Sequence, residues 1–127
     1  MKIFGIGTDI IKVSRIKKSL KKKSFITRIF NAEEISKCKK IRNISNCLAK
    51  RFAAKEAFSK ALGTGISKEI RFNEIVILNE KNGKPFIKLL EKTKVNVEKK
   101  IRKKKYKISL SITDEDKYAV AFVTITI

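Results

Sequence analysis

The residues with the most chemical potential lie in "LAKRFAAKEAFSKALGTG", residues 48–65. Glu56 is the lone acid there, set among alanines and aromatic residues. A carboxylate in such partly apolar surroundings costs free energy unless it is paired or holds a cation. Lys60 stands four residues on, the spacing and order of a favourable helical ion pair. The other reading gives Glu56 a hard divalent cation and lets Arg51, Lys55 and Lys60 hold an anion. That reading also accounts for Arg51 and Lys55. Like charges four apart on a helix destabilise it by ~0.2–0.5 kcal/mol, and a bound phosphate would relieve them. A second acid, Asp9, follows "GIGT". It serves equally as a turn residue, a helix cap or a second cation ligand. Gly5 and Gly7 are only a weak phosphate-loop signal. The sequence alone does not bring Asp9 to Glu56.

The elements that must position these residues follow from periodicity. "KIFGIG" reads as a short buried strand, and "TDIIKVSRIKKSL" as a helix with Ile10, Val13 and Ile16 at helical spacing. "KKKSFITRIF" continues as a second helical piece. "NAEEISKCKK" opens a helix on Asn31, with Glu34 three residues on as in a capping box. "SNCLAKRFAAKEAFSKALG" is the longest predicted helix, apolar nearly all round and therefore central. Gly63 suits its left-handed end. "IRFNEIVILNEKNGKPFIKLL" reads as a hairpin around Asn82-Gly83, with Pro85 opening the second strand. "EKTKVNVEKKIRKKK" is a basic helix, and "YKISLSITDEDKYAVAFVTITI" gives two alternating strands around the acidic turn "TDEDK". The order predicts one α+β domain over residues 1–127.

Composition narrows the class. The chain carries 32 Lys+Arg against 12 Asp+Glu, a formal charge of +20. Such a field attracts anionic partners, although lysines drifting onto solvated faces would produce it too. The complete absence of histidine, with two cysteines outside any CxxC pair, argues against a zinc site. Cys38 and Cys47 read as free thiols in a reducing compartment. With no secretory pattern at the N-terminus and no long apolar run, the expectation is a cytoplasmic protein with no membrane partner.

Several stretches together carry a resemblance. "GIGTDIIKVSRI", "LAKRFAAKEAFSKALGTGI" and "NGKPFIKL", with the ordered "F…N-E…LN" before and "S-L-S-I-T-D…YAVAFV" after, are similar to the holo-acyl-carrier-protein synthase family. These are the short-type 4′-phosphopantetheinyl transferases, and the likeness spans nearly the whole chain. It implies a small antiparallel-rich sheet wrapped around a long central helix. It implies transfer of 4′-phosphopantetheine from coenzyme A to a serine of apo acyl carrier protein in support of fatty acid biosynthesis. Adenosine 3′,5′-bisphosphate would be released.

The resemblance also implies roles. Asp9 and Glu56 would hold Mg²⁺ on the pyrophosphate, Lys60 would contact the phosphates, and the three together would be catalytic. Gly63 and its "GTG" turn would let backbone approach the ligand. Arg51, Phe52, Gly83, Lys84 and Pro85 would line the coenzyme A cleft. Arg15 and Arg28 would grip the acidic carrier protein, with Lys17, Lys18, Lys21 and Lys22 adding to the field. The family is a homotrimer with sites at the subunit contacts. Either Glu56 or a water on the ion could take the serine proton.

The chain departs from the family at one place, since the His of the H-x-S/T motif is missing. An ungapped alignment puts Ser109 at the His and Ser111 at the S/T; another register puts Lys107 there. Ser109 and Ser111 are expected beside coenzyme A, although plain strand alternation explains them equally. The alternative from a different class is a basic RNA-binding or ribosome-associated protein, with "EKKIRKKKYK" as its electrostatic footprint. Its aromatic residues form no stacking platform, so nucleic acid is not the expected partner.

Overall fold

The structure, a computed structural model, describes residues 1–127. Strand β1 (Ile3–Lys12) leads into three short helices, α1 (Val13–Ser19), α2 (Lys23–Ile29) and α3 (Ala32–Lys39), and then the long helix α4 (Ile44–Leu62). A 3₁₀ turn (Phe72–Glu74) introduces the hairpin of β2 (Ile75–Asn79) and β3 (Pro85–Leu89). Helix α5 (Glu91–Ile101) and the strands β4 (Lys107–Glu115) and β5 (Tyr118–Thr126) complete the chain. A three-stranded antiparallel sheet has the order β1-β5-β4, and β2-β3 form a separate two-stranded sheet. This is the expected α+β architecture.

Helix α4 is the axis of the fold. Alanines at 49, 53, 54, 57 and 61, with Leu48, Phe58 and Leu62, are buried in one core. The inner face of β5 meets it with Ala119, Ala121, Val123 and Ile125, the period-two alternation expected of a half-buried strand. The small residues on both sides let helix and sheet approach closely. Only Ile44, Asn46, Lys50, Phe52, Glu56 and Lys60 of α4 are not buried. Of these, Phe52, Glu56 and Lys60 repeat every four residues and form one open stripe. Gly63 caps α4 at φ +88°, and its N–H donates to the Ser59 and Lys60 carbonyls. The Asn31–Glu34 capping box on α3 is present as read.

Four details differ from the sequence reading. Strand β1 does not stop at Gly7; it continues through Asp9 to Lys12, because Asp9, Ile10 and Ile11 pair with Ala121, Val120 and Ala119 of β5. The strand is also not buried on both faces, since Ile6 and Ile10 point outward at 59% and 63% exposure. The turn between β4 and β5 narrows to Asp116 and Lys117, while that between β2 and β3 widens to residues 80–84. Finally, Cys38 and Cys47 are not lone thiols. The turn after α3 folds α4 back against it, and the two sulfurs form a buried disulfide.

Candidate active site

Gly5 and Gly7 explain how the two acids meet. They lie on the face of β1 turned toward α4. A Cβ on Gly5 would collide with the Ala61 carbonyl oxygen, and one on Gly7 with that of Ala57. These glycines therefore serve backbone-to-backbone approach, not a phosphate loop. Asp9, two residues further along the same face, is thereby delivered to the open stripe of α4. Lys60 Nζ donates to Asp9 Oδ1 at 3.3 Å and to the Thr8 carbonyl at 3.0 Å. Lys60 is 55% exposed and Asp9 17%.

Glu56 lies one helical turn before Lys60 but forms no ion pair with it. The local Glu56–Lys60 pair is thus replaced by a long-range Asp9–Lys60 pair. Burial pushes the Glu56 carboxyl above its ordinary value, the negative charge of Asp9 pushes it further, and Lys60 partly offsets both. Burial also raises the Asp9 carboxyl, against the hydrogen bond and charge of Lys60 and the charge of Arg15. Two half-desolvated acids thus repel each other beside one exposed ammonium group. Each oxygen is a hard donor, the type Mg²⁺ selects. The arrangement can hold a hard cation and place phosphoryl oxygens against Lys60.

A second assembly flanks the N-terminal half of α4. Arg51 is buried, donating from Nη1 to the Cys47 carbonyl at 3.2 Å and from Nη2 to Asn79 Oδ1 at 3.3 Å. Its Nε is a buried donor without a protein partner. Burial holds the guanidinium below its usual range, with the Glu34 charge acting the other way. A buried donor left without a partner is rare in folded proteins and sets this arginine apart from the surface cations. Arg51, Gly83 and Pro85 line one cavity, together with Asn46, Lys50 and Asp114. Asn46 Nδ2 donates to Asp114 Oδ2 at 3.0 Å. The sequence reading gave Asn46, Asn79 and Asp114 no role, although Asn79 ends the quoted "LN" and Asp114 ends the quoted "S-L-S-I-T-D".

The remaining expected residues are dispersed. Phe52 lies on the Glu56 stripe and stacks on Phe72, ring centroids 5.4 Å apart and 22° from parallel. Lys84 is exposed in the hairpin turn and does not line the Arg51 cavity. Ser109 and Ser111 are exposed on β4, opposite Thr124 and Phe122, whereas Asp9 shares the other sheet face with Ala121 and Ile112. Within one chain they therefore face away from the acids. Arg15 and Arg28 are exposed on α1 and α2. Lys55 was expected to face an anion and instead is fully buried. Its Nζ donates to Glu34 Oε1 at 2.6 Å, the Phe72 carbonyl at 2.7 Å and the Ile29 carbonyl at 2.9 Å. Of its neighbours one turn away, Arg51, Phe58 and Ser59 are buried and Phe52 is half-buried, and Leu48 and Leu62 two turns away are buried too, so it occupies the inner side of α4.

Known proteins share this layout. Residues 5–123 match the family described as "ACPS: 4'-phosphopantetheinyl transferase superfamily". The chain is 49% identical over 123 residues to a holo-[acyl-carrier-protein] synthase of Pelagibacter ubique, covering 97% of this chain and 96% of that one. The structure of holo-[acyl-carrier-protein] synthase from Neisseria meningitidis superposes with a TM-score of 0.89 at 38% identity, covering 98% of this chain and 99% of that one. The Bacillus anthracis synthase, solved in complex with CoA (3',5'-ADP), gives 0.82 at 36% identity, covering 99% and 98%.

Proposed function

The chain belongs to the 4′-phosphopantetheinyl transferase superfamily, and on that premise we propose that it is a holo-acyl-carrier-protein synthase. It transfers the phosphopantetheine arm of coenzyme A to a serine hydroxyl of apo acyl carrier protein. The observation that carries the reading is the convergence of Asp9, Glu56 and Lys60 on the one open stripe of α4. Relatives of the same family are named for this activity, and solved ones hold coenzyme A.

In the reaction the serine oxygen attacks the phosphorus that bears the pantetheine arm. The bond from that phosphorus to the bridging oxygen breaks, and adenosine 3′,5′-bisphosphate leaves. Glu56 accepts the serine proton, and its raised basicity suits that role. Lys60 swings from Asp9 to the phosphoryl oxygens and stabilises charge developing there. Arg51 brings its positive charge to the wall of a cavity, with Gly83 and Pro85 adjoining, where a phosphate of the nucleotide part would lie. Gly63 ends the helix beside Lys60 and keeps the turn clear of side chains.

The oxygen donors Asp9 and Glu56, under-neutralised by Lys60 alone, fit Mg²⁺. When bound, the ion supplies charge neutralisation on the pyrophosphate. Arg15, whose charge reaches Asp9, and Arg28, both exposed, would meet the acidic carrier. The outer face of the three-stranded sheet carries Ile6, Ile10 and Phe122 exposed and Val120 half-buried. Copies of the chain pack there as a homotrimer, which lets Ser109 and Ser111 reach the site of a neighbouring subunit. No helix is long and apolar enough to cross a membrane; it is the transferase role that assigns the chain to the cytoplasm and to the carrier of fatty acid biosynthesis.

Mass spectrometry tests the reading. Apo carrier protein incubated with the chain, coenzyme A and Mg²⁺ gains one phosphopantetheine, and an unchanged carrier mass refutes the assignment. An RNA gel shift, without stabilisation by coenzyme A and Mg²⁺, would support the basic RNA-binding alternative.

A further inference from the structure

The Lys55–Glu34 pair has no part in the reaction just described, yet every atom of it is committed. Both side chains are fully buried. The three Nζ protons go to Glu34, Ile29 and Phe72, and the ammonium also lies 5.4 Å from the centroid of the Phe30 ring. Glu34 Oε1 also accepts from Asn31 N at 3.0 Å, and Oε2 accepts from Ile77 N at 3.0 Å. One ion pair thus joins α2, α3, α4, the 3₁₀ turn and β2.

Stability alone is a weak reason to bury two charges. Desolvating them costs several kcal/mol per ion, and apolar side chains of similar volume often do as well or better. What the pair adds is fixed distance and direction. Apart from α3, each element it ties carries or adjoins part of the site. The Ile29 carbonyl directly follows Arg28 on the carrier side. Phe72 stacks on Phe52, one turn from Glu56. Ile77 leads to Asn79, which receives Arg51, and to the turn bearing Gly83.

We propose that the buried Lys55–Glu34 pair is a positioning device that holds the carrier-facing end of α2 and the coenzyme-facing hairpin in register with Glu56. The proposal rests on the transferase reading. It makes the pair responsible for aligning two bound substrates, not for binding either of them. Misplacing reacting groups by about 1 Å can cost about 10²-fold in rate.

The test is the double variant Glu34→Leu/Lys55→Met, which removes both charges and keeps apolar volume. Melting midpoints, kcat, and KM for coenzyme A and for apo carrier are measured well below every midpoint. The expected result is a cooperative melt close to wild type, both KM values near wild type, and kcat lower by about 10- to 100-fold. Wild-type kcat in a folded double variant overturns the proposal, as does a loss that only tracks the folded fraction. If the double variant does not fold, Glu34→Gln decides on the same readouts. It keeps the size of the side chain but offers Ile77 N either an amide donor or no charge. Wild-type kcat in folded Glu34→Gln likewise sinks the proposal. A wild-type enzyme that leaves the carrier unmodified would instead defeat the transferase reading, and the alignment role with it.

Discussion

Glu56 is costly to this fold without its ligand. Its carboxyl is raised by burial first and by Asp9 second, so the folded chain holds that proton more tightly than the unfolded one. The resulting stability is present at acid pH and is lost as pH rises from the ordinary value near 4.5 through the raised one. At neutral pH without divalent cation, Glu56→Gln therefore melts at or above the wild-type temperature, and the difference shrinks as pH falls toward 4.5. On the proposed cation site, Mg²⁺ should raise the wild-type midpoint and leave that of Glu56→Gln almost unmoved. Turnover of the variant drops by about 100-fold or more, the scale of a lost general base. Full activity in Glu56→Gln would remove the residue from the mechanism. Asp9, Glu56 and Lys60 were marked as candidates by the sequence because their motifs are local. Lys55 was misplaced because its partners, Glu34, Ile29 and Phe72, lie 17 to 26 residues away, and helical spacing says nothing about such distances.

At the scale of elements, the β1–α4 contact makes the site. All five helices, the two hairpins and the α4 cap were legible, because each rests on local pattern: alternation, capping residues, a Gly at the helix end. The extent of β1 was not, since "TDIIK" has apolar spacing that suits helix or strand, and pairing with β5 decides it. The roles of Gly5 and Gly7 were equally hidden, because they depend on the Ala57 and Ala61 carbonyls across the interface. Gly7→Ala should destabilise the chain by about 1–3 kcal/mol or more in urea unfolding, the cost of overpacking against backbone that cannot step aside. It should also weaken Mg²⁺-induced stabilisation, because Asp9 moves away with the strand. Gly83 is the control. Its φ is +91°, and nothing lies within 4 Å of the place an added methyl would take, so Gly83→Ala costs only the conformational penalty of about 1–2 kcal/mol. Equal Mg²⁺ responses in the two variants would separate the β1–α4 contact from cation binding.

For the whole molecule, the charge of +20 and the bare sheet face demand different partners. The charge concerns encounter. Arg15→Glu should raise the KM for carrier protein far more than that for coenzyme A, and the carrier effect should fade with salt, over a Debye length of about 8 Å at physiological ionic strength. Equal changes for both substrates would detach Arg15 from carrier recognition. The sheet face concerns assembly. Ile10 and Phe122 stand 63% and 44% exposed on neighbouring strands, and apolar groups so placed on a paired sheet mark a contact surface. Phe122→Asp puts a charge at the centre of that face while leaving Val123 and Ala121 to hold the core. The variant should sediment as a single folded chain, and the wild type, on the proposed assembly, as a trimer. Its turnover should fall as well, because Ser109 and Ser111 would no longer meet a neighbour's Glu56. A monomeric Phe122→Asp with wild-type turnover would show that one chain holds the complete site, and a wild type that sediments as a monomer would leave the sheet face without the occupant assigned to it.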